Sequence, residues 1–560
     1  MAARAVQRGY GGALLDRFAT WLQGLPSETC SYATTAVKIP LEGEENIQLA
    51  ADLYQPVLKD DEKPAGTILV LCPYGRSLLT LSARSFASRG YNVLFVSSRG
   101  TFGSAGRLDP GRMESDDGPR VVKWMRQQPW YTGTFATIGS SYLAYTQWAL
   151  LGSDESLQDM AAAIPSIGPH DFSDLLWGTG ALWLTCVDWA HLMATQESLS
   201  VFRQVYNMMT TNIMTLAHIK KTVPLVEGAK PYFKDKTPWL LEWISRPDRK
   251  NDSYYEPMKH GKALSTSKVP ILIIGGWQDV FTGTTMEQYQ QLCKSGCNVA
   301  LTMGPWNHLQ AGNGEGVMKE TLAWLDKYLA KRKEGEIRPA PVRINVTGVN
   351  EWRWLPSWPP TTTALELHLH PQGCLVRQEL GKRNMASFKF DPHDPTPTMG
   401  GPLLFHGGVV DDTALSKRSD VLTFTTTPLD HPLEVLGKPH IELAHSSDNL
   451  NVDLFVRLSE VDAKGISHNI TEVYKRLDPA RTTGGNAVKV ELDLADCAHR
   501  FKKGTCIRIL VAGANFPHYS FNLGSGEDQG IGTKMKPAVH TLHLGGELAS
   551  KLVLPVSLLD

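Results

Sequence analysis

The chain has 560 residues, too many for one ordinary hydrophobic core, so two or three domains are expected. Hydrophobic residues make up 42% and charged residues 20%, the proportions of a globular protein and not of a disordered tail. A formal net charge of −1 leaves no electrostatic case for nucleic acid or an anionic membrane as partner.

Residues 1–30 open with Ala13, Leu14, Phe18, Trp21 and Leu22 near helical spacing, interrupted by Asp16 and Arg17. This reads as a short amphipathic helix docked on the body, not as a secretory signal. No later run reaches the ~18 apolar residues of a membrane span. "TILVLC" and "VPILII" have the length of buried strands instead. Eight cysteines are scattered, and the C-x3-C of Cys293 and Cys297 has no second pair nearby to complete a zinc site. They read as mostly buried free thiols, which favours a reducing, cytoplasmic setting. No metal or organic cofactor is expected.

From residue 31 to 166, short apolar strands alternate with helical patterns: "TILVLCPYG", "SARSFASRG", "YNVLFVSSRG", "GPRVVKWMRQQPW", "FATIGSS", "YLAYTQWALL". That alternation predicts a parallel α/β sheet. Over 167–268 the style becomes helical and rich in Met, Trp and Leu, with "LLWGTGALWLTCVDWAHLMATQ" and "VFRQVYNMMTTNIMTLAHIKKT" as expected helices of a cap. The α/β style resumes over 269–338 with "VPILIIGGWQDVF" and "NVALTMGPWNH". From 339 to 560, period-two runs such as "VRINVTG", "ALELHLH", "VDLFVRL" and "TCIRILV" predict an antiparallel β-sandwich or jelly roll.

The segment "ATIGSSYLAYTQWALL" raises the question of chemistry. A nucleophilic serine needs a sharp strand–turn–helix that lifts Oγ out of the sheet and aims the next backbone N–H at the oxyanion. Gly139 permits the tight turn, and Ser141, two residues on, sits at its apex. The strict G-x-S-x-G pattern fails, because Leu stands at position 143. A serine nucleophile also needs a base and an orienting carboxylate. Asp279 closes one apolar strand and His308 the next, in the order Ser, Asp, His that an α/β-hydrolase requires. Both fall where loops leave the C-terminal ends of parallel strands.

With these residues on the page, the chain resembles the cocaine esterase and X-Pro dipeptidyl-peptidase family of serine hydrolases. "IGSSYLAYTQWA" is similar to that family's G-x-S-Y-x-G-x-x-Q segment, "GGWQDVFTG" to G-W-x-D-x-F, and "GPWNH" to G-P-W-x-H. "VLCPYGR", "SSRGTFGSAG", "ESDDGPRVVKWMRQQPW" and "VAGANFPHYSFNLGSGE" follow in the family's order, so the likeness spans nearly the whole chain. It implies an α/β-hydrolase fold with a helical cap insertion and a C-terminal β jelly roll of the galactose-binding-like type. It implies Ser141 as nucleophile, His308 as base and Asp279 as its partner. The Tyr74 hydroxyl and the Tyr142 backbone N–H would form the oxyanion hole. Phe281 and Trp177 resemble the aromatics of the family's acyl pocket, and Trp183 and Trp189 are placed in the same cap. Family members often self-associate, which leaves a homo-oligomer open.

The chain also departs from the pattern. Ala144 replaces a Gly, Ser98 replaces an Asp before R-G, and "LEGEENIQLAADLY" lengthens a turn. Val280, Phe281, Thr282 and Gly283 follow Asp279 where relatives acting on α-amino acid esters carry acidic residues. The expectation is therefore hydrolysis of an ester or amide of a small, uncharged or aromatic acyl group. An acyltransferase or cyclase on the same triad, an X-Pro dipeptidyl aminopeptidase, and a non-catalytic binding protein stand as alternatives. His170, Asp171 and Asp174 are read as residues that turn the chain into its first cap helix.

Overall fold

The computed structural model describes residues 4–557 except 77–79, 155, 199–212, 333–337, 482–485 and 547. Eleven strands form the first sheet: β1 (Val6–Gln7), β2 (Ser31–Pro40), β3 (Gln48–Val57), β4 (Thr67–Cys72), β5 (Asn92–Ser97), β6 (Phe135–Ser140), β7 (Met160–Ser166), β8 (Ile271–Gln278), β9 (Val299–Asn307), β10 (Val342–Val346) and β11 (Glu351–Leu355). Their spatial order is β1-β2-β3-β5-β4-β6-β7-β8-β9-β10-β11. Pairing is parallel from β5 through β10 and antiparallel at both edges. The central strands are buried on both faces, which is why they read as continuous apolar runs without alternation.

The sheet extends further than the sequence pattern indicates. The period-two run "VRINVTG" points to the C-terminal sandwich, yet Val342–Val346 pairs in parallel with β9, Val342 opposite Leu301. Period two identifies a half-buried strand but not the sheet that receives it. The C-terminal β domain starts with the Thr363–His370 strand, and its strands pair antiparallel apart from one parallel contact, Cys374 with Thr425. Its core is built on Leu443, Val456, Ile509 and Leu554.

Helix α1 (Tyr10–Leu22) is present but seated with its polar edge inward. Asp16, nearly fully buried, accepts from the Tyr32 hydroxyl at 3.0 Å and pairs with Arg84 at 2.7 Å. Its apolar residues face outward, with Trp21 74% and Tyr10 95% exposed. The buried ion pairs hold the helix, so hydrophobic spacing alone does not identify its inner face. Helices α2 (Thr80–Ala87), α3 (Glu114–Arg126) and α4 (Tyr142–Leu151) pack on the sheet.

The cap begins with α5 (Phe172–Trp177) and α6 (Thr185–Thr195) and runs through further helices to Gly261–Thr266. Of the expected helix over 201–222, the portion Ile213–Lys221 is helical, and residues 201–212 lie outside the described ones. Asp171 caps α5 by accepting from the Ser173 and Asp174 backbone N–H groups. Backbone hydrogen bonds join the cap to the β domain: Leu184 N–H to His518 O, Ser520 N–H to Leu182 O, and Leu225 N–H to Gln529 O. Among the described residues no helix is long and apolar enough to cross a membrane.

Candidate active site

The Phe135–Ser140 strand turns directly into α4, and Ser141 is the N-cap of that helix at φ 62°, ψ −124°. A non-glycine residue at such a φ is strained and persists only where its surroundings hold it. Two acceptors hold this one: Ser141 N–H reaches Ser166 O at 2.9 Å and Ile167 O at 3.1 Å. Gly139 has φ 150°, and a Cβ there would lie 2.4 Å from Leu143 Cβ. Gly168 matters for a different reason. A Cβ on it would fall 2.4 Å from Ser141 O and 2.5 Å from Ala144 Cβ. The methyl that Ala144 adds is thus accommodated opposite a residue without a side chain.

Three side chains from the ends of β6, β8 and β9 converge. Asp279 Oδ2 lies 2.6 Å from His308 Nδ1, and His308 Nε2 lies 3.1 Å from Ser141 Oγ. Asp279 is 1% exposed and His308 8%. The other carboxylate oxygen, Oδ1, accepts from the Phe281 N–H at 2.7 Å. His308 is also the first residue of a short helix capped reciprocally by Asn307 and Gln310, which fixes the direction of its side chain.

Tyr74 follows β4 and lines the same cavity as Ser141. Burial pushes this phenol well above its ordinary value, so it stays protonated and able to donate. Trp189 Nε1 donates to the same hydroxyl at 3.1 Å, filling an acceptor position and directing the Tyr74 proton elsewhere. The Trp189 ring stacks on Tyr142 at 5.7 Å. The Tyr142 hydroxyl bonds Glu114 and accepts from the Gly111 N–H at 2.8 Å. Glu114 is buried, and that desolvation pushes its carboxyl up to about 7, the Tyr142 bond opposing. The Tyr142 backbone N–H, at the first position of α4, is one of the donors a helix leaves without an internal partner.

A cavity of about 480 Å³ opens at Ser141 and is bordered there by Tyr74, Trp189, His308, Leu404 and Phe405. The structure places the expected acyl-pocket aromatics differently. Trp177 is buried in the core of the cap, its Nε1 donating to Trp243 O at 3.1 Å. Trp183 borders a second cavity, of about 340 Å³, behind the Asp279 loop. Phe281 lies edge-on to the His308 ring at 5.5 Å and is not among the described residues lining the Ser141 cavity. An aromatic on an apolar helix face is as suited to core packing as to a pocket wall, and here packing claims Trp177. Leu404 and Phe405 carried no signal in the sequence, since nothing in "PLLFHGG" indicates that the loop returns to the hydrolase domain. Asn307 ties that loop down through a 2.9 Å bond from its Nδ2 to Gly407 O.

The departures at Ser98 and in the lengthened turn meet in space. Glu44, from that turn, binds Arg99 at 2.5 and 2.7 Å and Arg120 at 2.5 Å, which holds its carboxyl low, at about 2. Arg99 also pairs with Asp117. The arginine after Ser98 therefore receives its carboxylates from elsewhere in the chain.

Comparisons with known proteins agree with this architecture. The family model for X-Pro dipeptidyl-peptidase (S15 family) matches residues 43–310, and that for the X-Pro dipeptidyl-peptidase C-terminal non-catalytic domain matches 336–553. Cocaine esterase of Rhodococcus sp. (strain MB1 Bresler) is 27% identical over 93% of this chain and 98% of its own. An α-amino acid ester hydrolase structure superposes with a TM-score of 0.79 at 20% identity, covering 95% of this chain and 98% of that one. An aminopeptidase from a marine sediment Thaumarchaeota archaeon gives the same TM-score at 20% identity, over 94% and 96%. The chain belongs to the cocaine esterase and X-Pro dipeptidyl-peptidase family of α/β-hydrolase serine hydrolases.

Proposed function

We propose that the protein hydrolyses an ester or amide of an uncharged acyl group through an acyl-enzyme on Ser141. The observation that carries this reading is the unbroken hydrogen-bond chain Asp279–His308–Ser141, which ends on a serine held at φ 62°. Ser141 Oγ attacks the carbonyl carbon while His308 Nε2 takes the hydroxyl proton. Asp279 holds the imidazole in the tautomer that presents Nε2 and stabilises the imidazolium. The oxyanion receives hydrogen bonds from the Tyr74 hydroxyl and the Tyr142 N–H, together with the N-terminal dipole of α4. Collapse breaks the bond to the leaving group, which takes the proton from Nε2. Water then attacks the acyl-enzyme carbonyl and gives a proton to Nε2; the second collapse breaks the bond to Ser141 Oγ, which takes that proton back as the acid leaves. No Asp, Glu, Lys or Arg is among the described residues that line the cavity, which supports an uncharged acyl group.

The test is intact mass after treatment with a fluorophosphonate, on wild type and Ser141→Ala. One adduct on the wild type and none on the variant is the expected result. An unmodified, folded wild type that turns over no p-nitrophenyl ester defeats the reading.

A further inference from the structure

The cavity at Ser141 does not stop at the oxyanion site. It continues down the face of the sheet to Gln23, just past the end of α1. Its floor is a single cross-strand row. Val70 lies opposite Phe95, and Ile138 opposite Ile164; the β4–β6 register, Leu69 opposite Thr137, brings Val70 level with Ile138. Four adjacent strands spaced ~4.8 Å apart make this row ~14 Å across, and Ile138 lies ~10 Å below Ser141 along its strand. The roof is made by Leu81 and Phe86 of α2 and by Met318 and Thr321 of the Val317–Tyr328 helix. Neighbouring positions of this kind usually close against one another in an α/β sandwich. Here residues of both layers border the cavity, which leaves an apolar slot between them with the nucleophile at its mouth; Leu81 and Met318 are its more open walls, while Val70, Phe86, Phe95 and Ile164 are nearly fully buried.

We propose that this slot receives a straight, uncharged aliphatic chain attached to the reacting carbonyl, so that the preferred substrates are medium- to long-chain acyl esters. The assignment rests on the serine-hydrolase reading above. A compact aromatic acid fills only the mouth, between Tyr74, Trp189 and Phe405, and leaves the floor row uncovered. A linear chain runs beneath Gly139 and Ser140 and buries methylenes against Ile138, Val70 and Met318. A charged or strongly polar chain finds no counter-charge on these walls. Each methylene moved from water to apolar surroundings is worth about a fourfold gain in transition-state binding.

The test is kcat/KM for p-nitrophenyl esters from acetate to dodecanoate, below their aggregation limits, on wild type, Met318→Trp and Ser82→Phe. The two variants block the slot from the two helices of its roof, Ser82 lying on α2 and Met318 on the Val317–Tyr328 helix, so either one that folds serves. The wild type is expected to gain about fourfold per methylene over the first few carbons and then level off as the slot fills. The octanoate-to-acetate ratio should fall at least about tenfold in either variant. A flat wild-type series, a preference for benzoate over octanoate, or a ratio untouched in a folded variant overturns the slot. In each of those cases fluorophosphonate still labels Ser141 and the hydrolase reading stands. Failure of labelling together with failure of every ester removes both.

Discussion

Trp189→Phe deletes one N–H and keeps an aromatic ring over Tyr142. In the structure that N–H donates to the Tyr74 hydroxyl, 3.1 Å away, and so sets which way the Tyr74 proton points. If Trp189 acts through Tyr74, the two residues must be non-additive. Tyr74→Phe removes the proposed oxyanion donor and should cost ~2.7–4 kcal/mol, about 10²- to 10³-fold in kcat. Trp189→Phe loses one neutral hydrogen bond, ~0.5–1.5 kcal/mol, about 2- to 12-fold. In the Tyr74→Phe background there is no hydroxyl left to orient, so the second change should cost less than about twofold. The assay is a double-mutant cycle on kcat for one p-nitrophenyl ester, with thermal unfolding recorded for all four proteins. Effects that multiply across the cycle would refute the orienting role. An equal rise in KM in both backgrounds would make Trp189 a wall of the cavity only.

Other consequences can be checked directly. Glu114 titrates at about 7 in the fold against an ordinary 4.5, so the folded protein holds a proton that the unfolded chain has lost between those values. The stability this contributes is whole below pH ~4.5 and is lost, to ~3 kcal/mol, as the pH rises to about 7. Glu114→Gln should flatten that part of the urea-unfolding profile between pH 5 and 8; parallel profiles would contradict it. Gly168→Ala drives a methyl against Ser141 O and should cost ~3 kcal/mol or more and misplace the serine, read as lost fluorophosphonate labelling in whatever folds. Labelling at the wild-type rate would mean that the turn can give way. In the β domain Arg457, fully buried, pairs with Glu472 at 2.6 Å. Arg457→Met leaves two buried carboxylates without their counter-ion, Glu472 left with the Asn515 amide and Asp412 losing a 3.5 Å pairing, and should destabilise by ~3–5 kcal/mol, whereas changing Arg457, Glu472 and Asp412 together to apolar residues should recover much of the loss. A cost within ~1 kcal/mol for the single variant would show that the carboxylates find another partner.

Much of the site is legible before any coordinates. The strand-to-helix break at "GSSY" is visible because an apolar strand ends at small residues before a helical run, and chain order adds Asp279 and His308. Each of these marks is local: a strand end, a turn, a loop at the carboxyl edge of a parallel sheet. Trp177, Trp183 and Trp189 look equivalent along the chain, since all fall in one apolar run that reads as helical, yet Trp183 sits between α5 and α6. Only packing directs Trp189 toward Tyr74 and buries Trp177 under Trp243.

Composition and periodicity by themselves determine a multidomain α/β protein with an antiparallel β domain, because burial of one face imposes the period of each element. The turn, strand ends and chain order single out Ser141, Asp279 and His308 as candidates, because what that chemistry needs is written locally. Tertiary structure alone decides which sheet Val342–Val346 joins, which side of α1 faces inward, how Phe405 reaches a serine more than two hundred and fifty positions earlier, and how deep the cavity below that serine runs. Each of these depends on what an element packs against, and a period reports only that a face is buried, not its partner.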